Sequence, residues 1–214
     1  GRGCPHRCGF CAADAVWQAN GRRAGQPAVR PRPLDAVMDE LRLLQDTYGF
    51  DFFYILDDTF GLREQDILDF CAAYRRSGLR MLWAATTRVD RIQREEIVRA
   101  MKEAGCLQLD FGVETGSQRL LDVAQKGITL DEIRTAFRLC QAAGIRTFAN
   151  MLVNLPGETE DDLDATRRFL EEIKPTYVNV GTTQPYPGTP FHDRYLSHPL
   201  GRHEYHALSR FDPP

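Results

Sequence analysis

The sequence predicts an α/β protein built as a full or partial βα barrel, and three observations carry that reading. Amphipathic helical stretches alternate along the chain with short, almost wholly apolar runs. A glycine closes four of the helical stretches just before the next apolar run: Gly49, Gly78, Gly105 and Gly144. The segments that follow the apolar runs are the polar ones, as expected where strand carboxyl ends form an active face. A doubly wound open sheet is the competing arrangement.

The first helix is read from the stripe Leu34, Val37, Met38, Leu41 and Leu44, and the second from Ile67, Leu68, Cys71 and Tyr74. Ile97, Val98 and Met101 mark a third. Ile133, Ala136, Phe137 and Cys140 mark a fourth, opened by a capping box of Thr129 and Glu132. Leu163, Thr166, Phe169, Leu170 and Ile173 give a fifth, stopped by Pro175. The glycines supply the left-handed residue that ends a helix. Strands are expected over 52–56, 81–85, 107–113, 147–155 and 177–180. Their continuous apolar character suits a parallel sheet covered by helices.

At 214 residues, with 43% hydrophobic and 27% charged residues, the chain suits one sizeable globular domain. A formal charge of −3 gives no general attraction to nucleic acid or anionic membranes. No apolar run is long enough to span a bilayer and no signal peptide precedes the first cysteines, so a cytoplasmic protein is expected. Cys71, Cys106 and Cys140 stand singly among apolar residues and read as core packing.

The remaining cysteines are different. Cys4, Cys8 and Cys11 form a C-x3-C-x2-C run, which can wrap three soft thiolate ligands around one iron-sulfur or zinc centre. Three ligands leave one iron of a cubane open to a substrate or cofactor. Zinc would need a fourth ligand, His6 or a distant cysteine, and no second C-x2-C pair is present. His6 reads as a loop residue.

This loop, Arg2 to Cys11, resembles the cluster motif of the radical S-adenosylmethionine (SAM) superfamily, and four more segments tighten the resemblance to its cobalamin-associated subgroup. Arg30-Pro31-Arg32-Pro33, Asp57-Asp58-Thr59-Phe60, Gly112-Val113-Glu114-Thr115-Gly116-Ser117 and Pro187-Gly188-Thr189-Pro190 look like that group's motifs in order. The resemblance implies a partial (βα)6 TIM-like barrel whose first strand lies ahead of Gly1. Residues 1–190 would form the core, and 191–214 a C-terminal extension in which His198, His203 and His206 read as surface residues.

It also implies roles. Cys4, Cys8 and Cys11 would hold a [4Fe-4S] cluster whose fourth iron chelates SAM, and Phe10 would lie against the adenine. Asp57 or Asp58 would accept from the SAM ammonium. Since neighbouring strand-end residues point opposite ways, one of the two should face inward. Glu114 would bond the ribose hydroxyls or the same ammonium. Arg88 would hold the SAM carboxylate or pair with a rim carboxylate. Leu152 and Val153 would pack against adenine, though Asn154 stands where the family commonly has glycine; asparagine tolerates unusual backbone angles. Asp90, followed by Gln93, reads as a helix cap, and Glu158 as a charged helix start.

The implied activity is reductive cleavage of SAM to a 5′-deoxyadenosyl radical, in a cobalamin-dependent methyltransferase or a related C–H functionalising enzyme. The implied partners are a small-molecule substrate, a reductant such as flavodoxin or ferredoxin, and a cobalamin-binding domain ahead of the barrel. A cobalamin-independent methylthiotransferase or oxidative decarboxylase competes, as does a zinc-stabilised barrel that only binds a partner.

Overall fold

The structure is a computed structural model that describes residues 1–21 and 26–195. Helices α1 (Ala13–Ala19) and α2 (Leu34–Tyr48) precede strand β1 (Phe52–Ile55). The chain then runs α3 (Glu64–Ser77), β2 (Leu82–Thr87), α4 (Glu95–Glu103), β3 (Cys106–Glu114), α5 (Gln118–Val123) and α6 (Leu130–Ala142). It continues with β4 (Arg146–Val153), α7 (Glu160–Ile173), β5 (Tyr177–Thr182) and α8 (Pro190–Tyr195). His198, His203 and His206, and most of the expected extension, lie outside the described residues.

All five strands pair in parallel in the order β1-β2-β3-β4-β5. A doubly wound sheet reverses its strand order at a switch point, and this sheet never does. Sequential order is the barrel pattern, here open. A groove of about 630 Å³ runs along the free edge of β1, lined by Phe53, Ile55, Leu34, Val37 and Leu41, where the expected first strand would lie.

Each expected helix forms, for the expected reasons. Gly49 and Gly78 end α2 and α3 at φ of 69° and 74°; Gly105 and Gly144 follow α4 and α6 at 87° and 66°. Thr129 Oγ1 accepts from Glu132 N at 3.2 Å while Glu132 Oε2 accepts from Thr129 N at 2.7 Å, closing the box that opens α6.

The helices cover one face of the sheet. Trp83, Ala85, Leu109, Phe111, Val113, Ala149 and Met151 point to that face and are buried in the main core. Trp83 is wholly buried, donates its indole N–H to Ala104 O at 2.7 Å, and takes edge contacts from Phe60 and Phe70. Cys71, Cys106 and Cys140 are buried in the same core. Burial pushes the Cys71 and Cys140 thiols up to about 12 and raises Cys106 well above its ordinary value.

The opposite, concave face is less covered: Tyr54, Thr86, Asp110, Gly112, Asn150 and Leu152 are only half-buried there. On β5, Tyr177, Val178 and Val180 are exposed on both faces. The long helices α2, α3, α4, α6 and α7 pack on the other side.

Candidate functional site

Every loop that resembled a family motif gathers at the carboxyl ends of the strands, and the cysteine loop is sewn to them by its backbone. Gly9 N donates to Ala124 O at 2.7 Å, and Gly9 O accepts from Phe191 N at 2.9 Å. A Cβ on Gly9 would stand 2.5 Å from the Phe191 ring, so only glycine lets the loop lie flat between the end of α5 and α8. The Pro187–Pro190 loop closes on the same region: Gly188 (φ 80°) packs on Ala15 of α1. Thr189, fully buried, donates to Tyr186 O and accepts from His192 N at the start of α8.

Phe10 meets Phe191 edge-on at 6.4 Å. Phe10 and Leu152 both pack on a second small cluster of Leu120, Ala124, Leu155 and Phe191. Val153 is half-buried beside Leu152, and its carbonyl accepts from Thr183 N. Phe10 and Leu152, two of the three residues expected at an adenine, are thus brought to one apolar patch, and Val153 is not packed on it.

Asp57 and Asp58 both turn toward the cysteine loop. Gly1 N lies 2.8 and 2.9 Å from the Asp57 oxygens. Asp58 Oδ2 accepts from Gly3 N at 2.7 Å and from Trp17 Nε1 at 2.8 Å. The alternation expected of neighbours fails because β1 ends at Ile55 and both residues belong to the following loop.

Arg88 is buried on the rim. Its Nε donates to Asp90 Oδ1 at 3.1 Å and its Nη2 to Lys126 O at 2.9 Å, with Gly127 O at 3.4 Å. Asp90 is therefore an ion-pair partner of Arg88 and Arg91 inside a 3-10 turn, Val89–Arg91, and not a helix cap; α4 starts later, at Glu95. Glu158 likewise departs from the expected helix start. It folds back so that Oε2 accepts from Asn154 N at 2.6 Å, while α7 opens at Glu160 under a Thr159–Asp162 capping box. Asn154 sits at φ 64°, doing what the family's glycine would do.

Glu114 is the most constrained of these residues. It lies at φ 67°, beyond a register shift that follows Gly112, and its buried carboxylate accepts from Lys126 Nζ at 2.6 Å. Side-chain exposures of 7% and 10% make this a buried ion pair. Lys126 Nζ also lies 5.7 Å from the centroid of the Phe10 ring. Lys126 is held in a turn between Gln125 (φ 51°) and Gly127 (φ 63°). Sequence reasoning missed it; its signal was the Lys-Gly pair at the end of a helix too short to show a stripe.

The loop after Glu114 is pinned on α7. Gly116 N donates to Thr166 Oγ1 at 2.9 Å, and Ser117 Oγ donates to Asp162 Oδ1 at 2.6 Å. A Cβ on Gly116 would lie 2.7 Å from Thr166 Cα and 3.0 Å from Ala165 O, backbone atoms that cannot swing aside. Gly116→Ala should destabilise the protein by about 1 to 3 kcal/mol and lower its urea midpoint. Burial pushes the Asp162 carboxyl up, but donors on Ser117, Thr159 and Arg119 outweigh it and hold it down at about 2, from an ordinary 3.8. A depressed carboxyl stabilises above its unfolded pKa and loses that contribution as pH falls through the folded one. Asp162→Asn should cost on the order of 2 kcal/mol near neutrality, and acid titration by circular dichroism should show the gap from the parent closing between pH 4 and 2.

Whether the cysteine loop suits a metal cluster is tested by its own donors. Cys8 is buried, Cys4 half-buried and Cys11 exposed. Among the described residues no three His, Cys, Asp or Glu side chains stand closed on one point as a metal site. Cys8 and Cys11 are nevertheless near enough to help raise the Cys4 pKa, and Cys8 that of Cys11. Burial raises both Cys4 and Cys11; the backbone N–H groups of His6 and Ala13 oppose it, as do Arg88 at Cys4 and Lys126 at Cys11. Burial and Arg88 lower His6. Three soft sulfur donors, two of them met by backbone N–H groups and flanked by cations, fit an anionic iron-sulfur cluster.

The model of the family described as the Radical SAM superfamily matches residues 1–170. The chain belongs to the radical SAM superfamily. It is 32% identical over 188 residues to an uncharacterized methyltransferase of Pyrococcus horikoshii, covering 88% of this chain and 39% of that protein. It is 31% identical over 192 residues to the anaerobic magnesium-protoporphyrin IX monomethyl ester cyclase of Cereibacter sphaeroides, covering 88% and 30%. Among solved structures, the radical SAM methyltransferase TsrM from Kitasatospora setae, with cobalamin and a [4Fe-4S] cluster bound, superposes at a TM-score of 0.74 and 25% identity over 88% of this chain and 36% of that one. This radical SAM chain thus spans well under half the length of these relatives. Radical SAM proteins use a [4Fe-4S] cluster and SAM. No helix among the described residues is long and apolar enough to cross a membrane.

Proposed function

We propose that residues 1–190 are the SAM-cleaving core of a cobalamin-dependent, methyltransferase-type enzyme. The observation that carries this is the meeting of the cysteine loop, Phe10 and the Glu114–Lys126 pair at the carboxyl ends of a sequentially ordered parallel sheet. The subgroup rests on relatives named as methyltransferases and on the cobalamin-bound neighbour.

Cys4, Cys8 and Cys11 would hold the [4Fe-4S] cluster. When bound there, the cluster would supply the electron for reductive cleavage of SAM, with methionine as the leaving product. The chain's own residues bind and orient. Phe10 and Leu152 offer the apolar surface for adenine, and Lys126 and Arg88 place positive charge beside the sulfur ligands and the SAM carboxylate. Asp57, whose oxygens meet Gly1 N, is the carboxylate proposed to accept from the SAM ammonium. Asp58, already committed to Gly3 and Trp17, holds the cysteine loop in place. Glu114 fixes Lys126 and faces the ribose side.

The longer protein would supply a cobalamin-binding domain, and a flavodoxin or ferredoxin the electron, in the cytoplasm. Anaerobic reconstitution of the full protein with iron, sulfide, cobalamin, SAM and a reductant should yield 5′-deoxyadenosine or S-adenosylhomocysteine. Neither product from a protein with an intact cluster would overturn the reading, and full activity without cobalamin would return it to the cobalamin-independent class.

A further inference from the structure

The concave face of the sheet carries a polar network that none of these roles uses. Tyr54 Oη of β1 donates to Asp110 Oδ2 of β3 at 2.6 Å, and Gln108 Nε2 donates to Asp110 Oδ1 at 2.8 Å. Tyr54 Oη also lies 3.2 Å from Thr86 Oγ1 of β2; with the phenol proton on Asp110, the threonine is the donor there. Burial, then the bond to Asp110, pushes the Tyr54 phenol up to about 12, so it stays a donor.

The network spends its donors inward and leaves its acceptors open. An ionised carboxylate offers about four lone-pair sites, and Asp110 uses one on each oxygen. No basic side chain among the described residues forms an ion pair with it; Arg146, register partner of Gln108, is exposed. A half-buried carboxylate without a cation favours a ligand that brings one.

The surroundings define the rest of such a ligand. In register, Asp110 stands beside Phe148, and Phe148 beside Tyr177, whose rings lie 6.0 Å apart. Tyr177 is 46% exposed. Two residues up β3, roughly 7 Å along the strand, Gly112 leaves room that the ion pair fills: a Cβ there would stand 2.4 Å from Glu114 Oε1 and 2.6 Å from Lys126 Nζ. Asp110 therefore sits directly beneath the site where SAM is proposed to bind, with an aromatic wall at its side.

We propose that Asp110, braced by Tyr54 and Gln108 next to Phe148 and Tyr177, is the substrate-recognition group, and that the substrate is an amphipathic cation, an ammonium carried on an aromatic or apolar body. Calling that ligand a substrate rests on the function proposed above.

The test uses the full, cluster-loaded protein with SAM and three probes that share one aromatic body: 3-phenylpropylamine, 3-phenylpropan-1-ol and 3-phenylpropionate. Calorimetric titration near neutral pH should show the amine binding roughly tenfold or more tightly than the carboxylate, with the alcohol between. Asp110→Asn should bring amine and carboxylate within about twofold, Tyr54→Phe should keep the preference, and Tyr177→Ala should weaken all three probes together. Equal affinities in the unmutated protein, or a preference that survives Asp110→Asn, would mean a polar network that serves only the fold. If Asp110→Asn does not fold, intermolecular NOEs decide: contacts from the amine's methylenes to the Phe148 and Tyr177 rings support the site, and contacts elsewhere overturn it. SAM cleavage by the unmutated protein, run alongside, reports separately on the enzymatic reading, whichever way the probes bind.

Discussion

Cys8→Ala should reduce iron after anaerobic reconstitution from near four per chain to below about one, and abolish SAM cleavage with it. Cys8 is the buried middle ligand of the proposed three. Its carbonyl accepts from Cys11 N at 3.0 Å, so the turn carrying the third thiol is built on it. Removing its sulfur leaves two donors, too few to hold a cubane with one corner open. The apo fold should barely notice, because the loop is fixed through Gly3, Gly9 and Phe191 and not through the thiol.

Cys71→Ala is the matching control. That thiol is buried in the main core, where burial pushes its pKa up to about 12 and disfavours the thiolate that a ligand needs. It should cost about 1 to 2 kcal/mol in packing while iron content stays near the parent's. Metal analysis and urea titration of the two variants should give opposite outcomes. Equal iron loss in both would show that the loop cysteines have no special part in binding the cluster.

The contrast between these cysteines was legible in the sequence because it depends on local spacing and local company. So did most of the fold. Stripes such as Ile133, Ala136, Phe137 and Cys140 specify a helix face within a dozen residues, and glycines 49, 78, 105 and 144 specify its end. Strand ends drifted by a residue or two, as at Ile55 and Thr87, since pairing partners and not local pattern decide where a ladder stops. The short helices α1, α5 and α8, six or seven residues each, are too brief to repeat an apolar stripe. They form because the cysteine loop and the strand ends hold them.

The site was half legible for the same physical reason. Cys4, Cys8, Cys11 and Phe10 announce themselves by spacing, whereas the partners of Arg88, Glu114 and Glu158 are set by tertiary approach. Nothing in the spacing of Asp57 and Asp58 reveals that both face the cysteine loop, because that depends on where β1 stops. Asn154 is an instructive middle case. Its identity showed that a left-handed turn could survive without glycine, and only the fold shows Glu158 bonding to its amide.

Lys126→Met should destabilise the cluster-free protein by about 3 kcal/mol or more, the largest folding effect expected of any single change at the site. The substitution keeps the side chain's length and apolar stem but leaves the Glu114 carboxylate buried with no cation. Glu114 has little freedom to escape to water, because its backbone is held at φ 67° by the register shift in β3 and by the pinning of Gly116 on α7. The lost contact between Nζ and the Phe10 ring adds about 0.5 to 1 kcal/mol. Glu114→Gln should be milder, since a neutral amide oxygen still accepts from Lys126. In the double variant the buried charge is gone from both sides, and stability should return to within about 1 kcal/mol of the parent. Urea midpoints of all four proteins give the coupling energy directly. SAM affinity should follow a different pattern, falling in Lys126→Met and staying low in the double variant, because one of the two cations proposed to flank the sulfur ligands and the SAM carboxylate is missing from both. A double variant that regains stability and SAM affinity together would make Lys126 a structural residue alone.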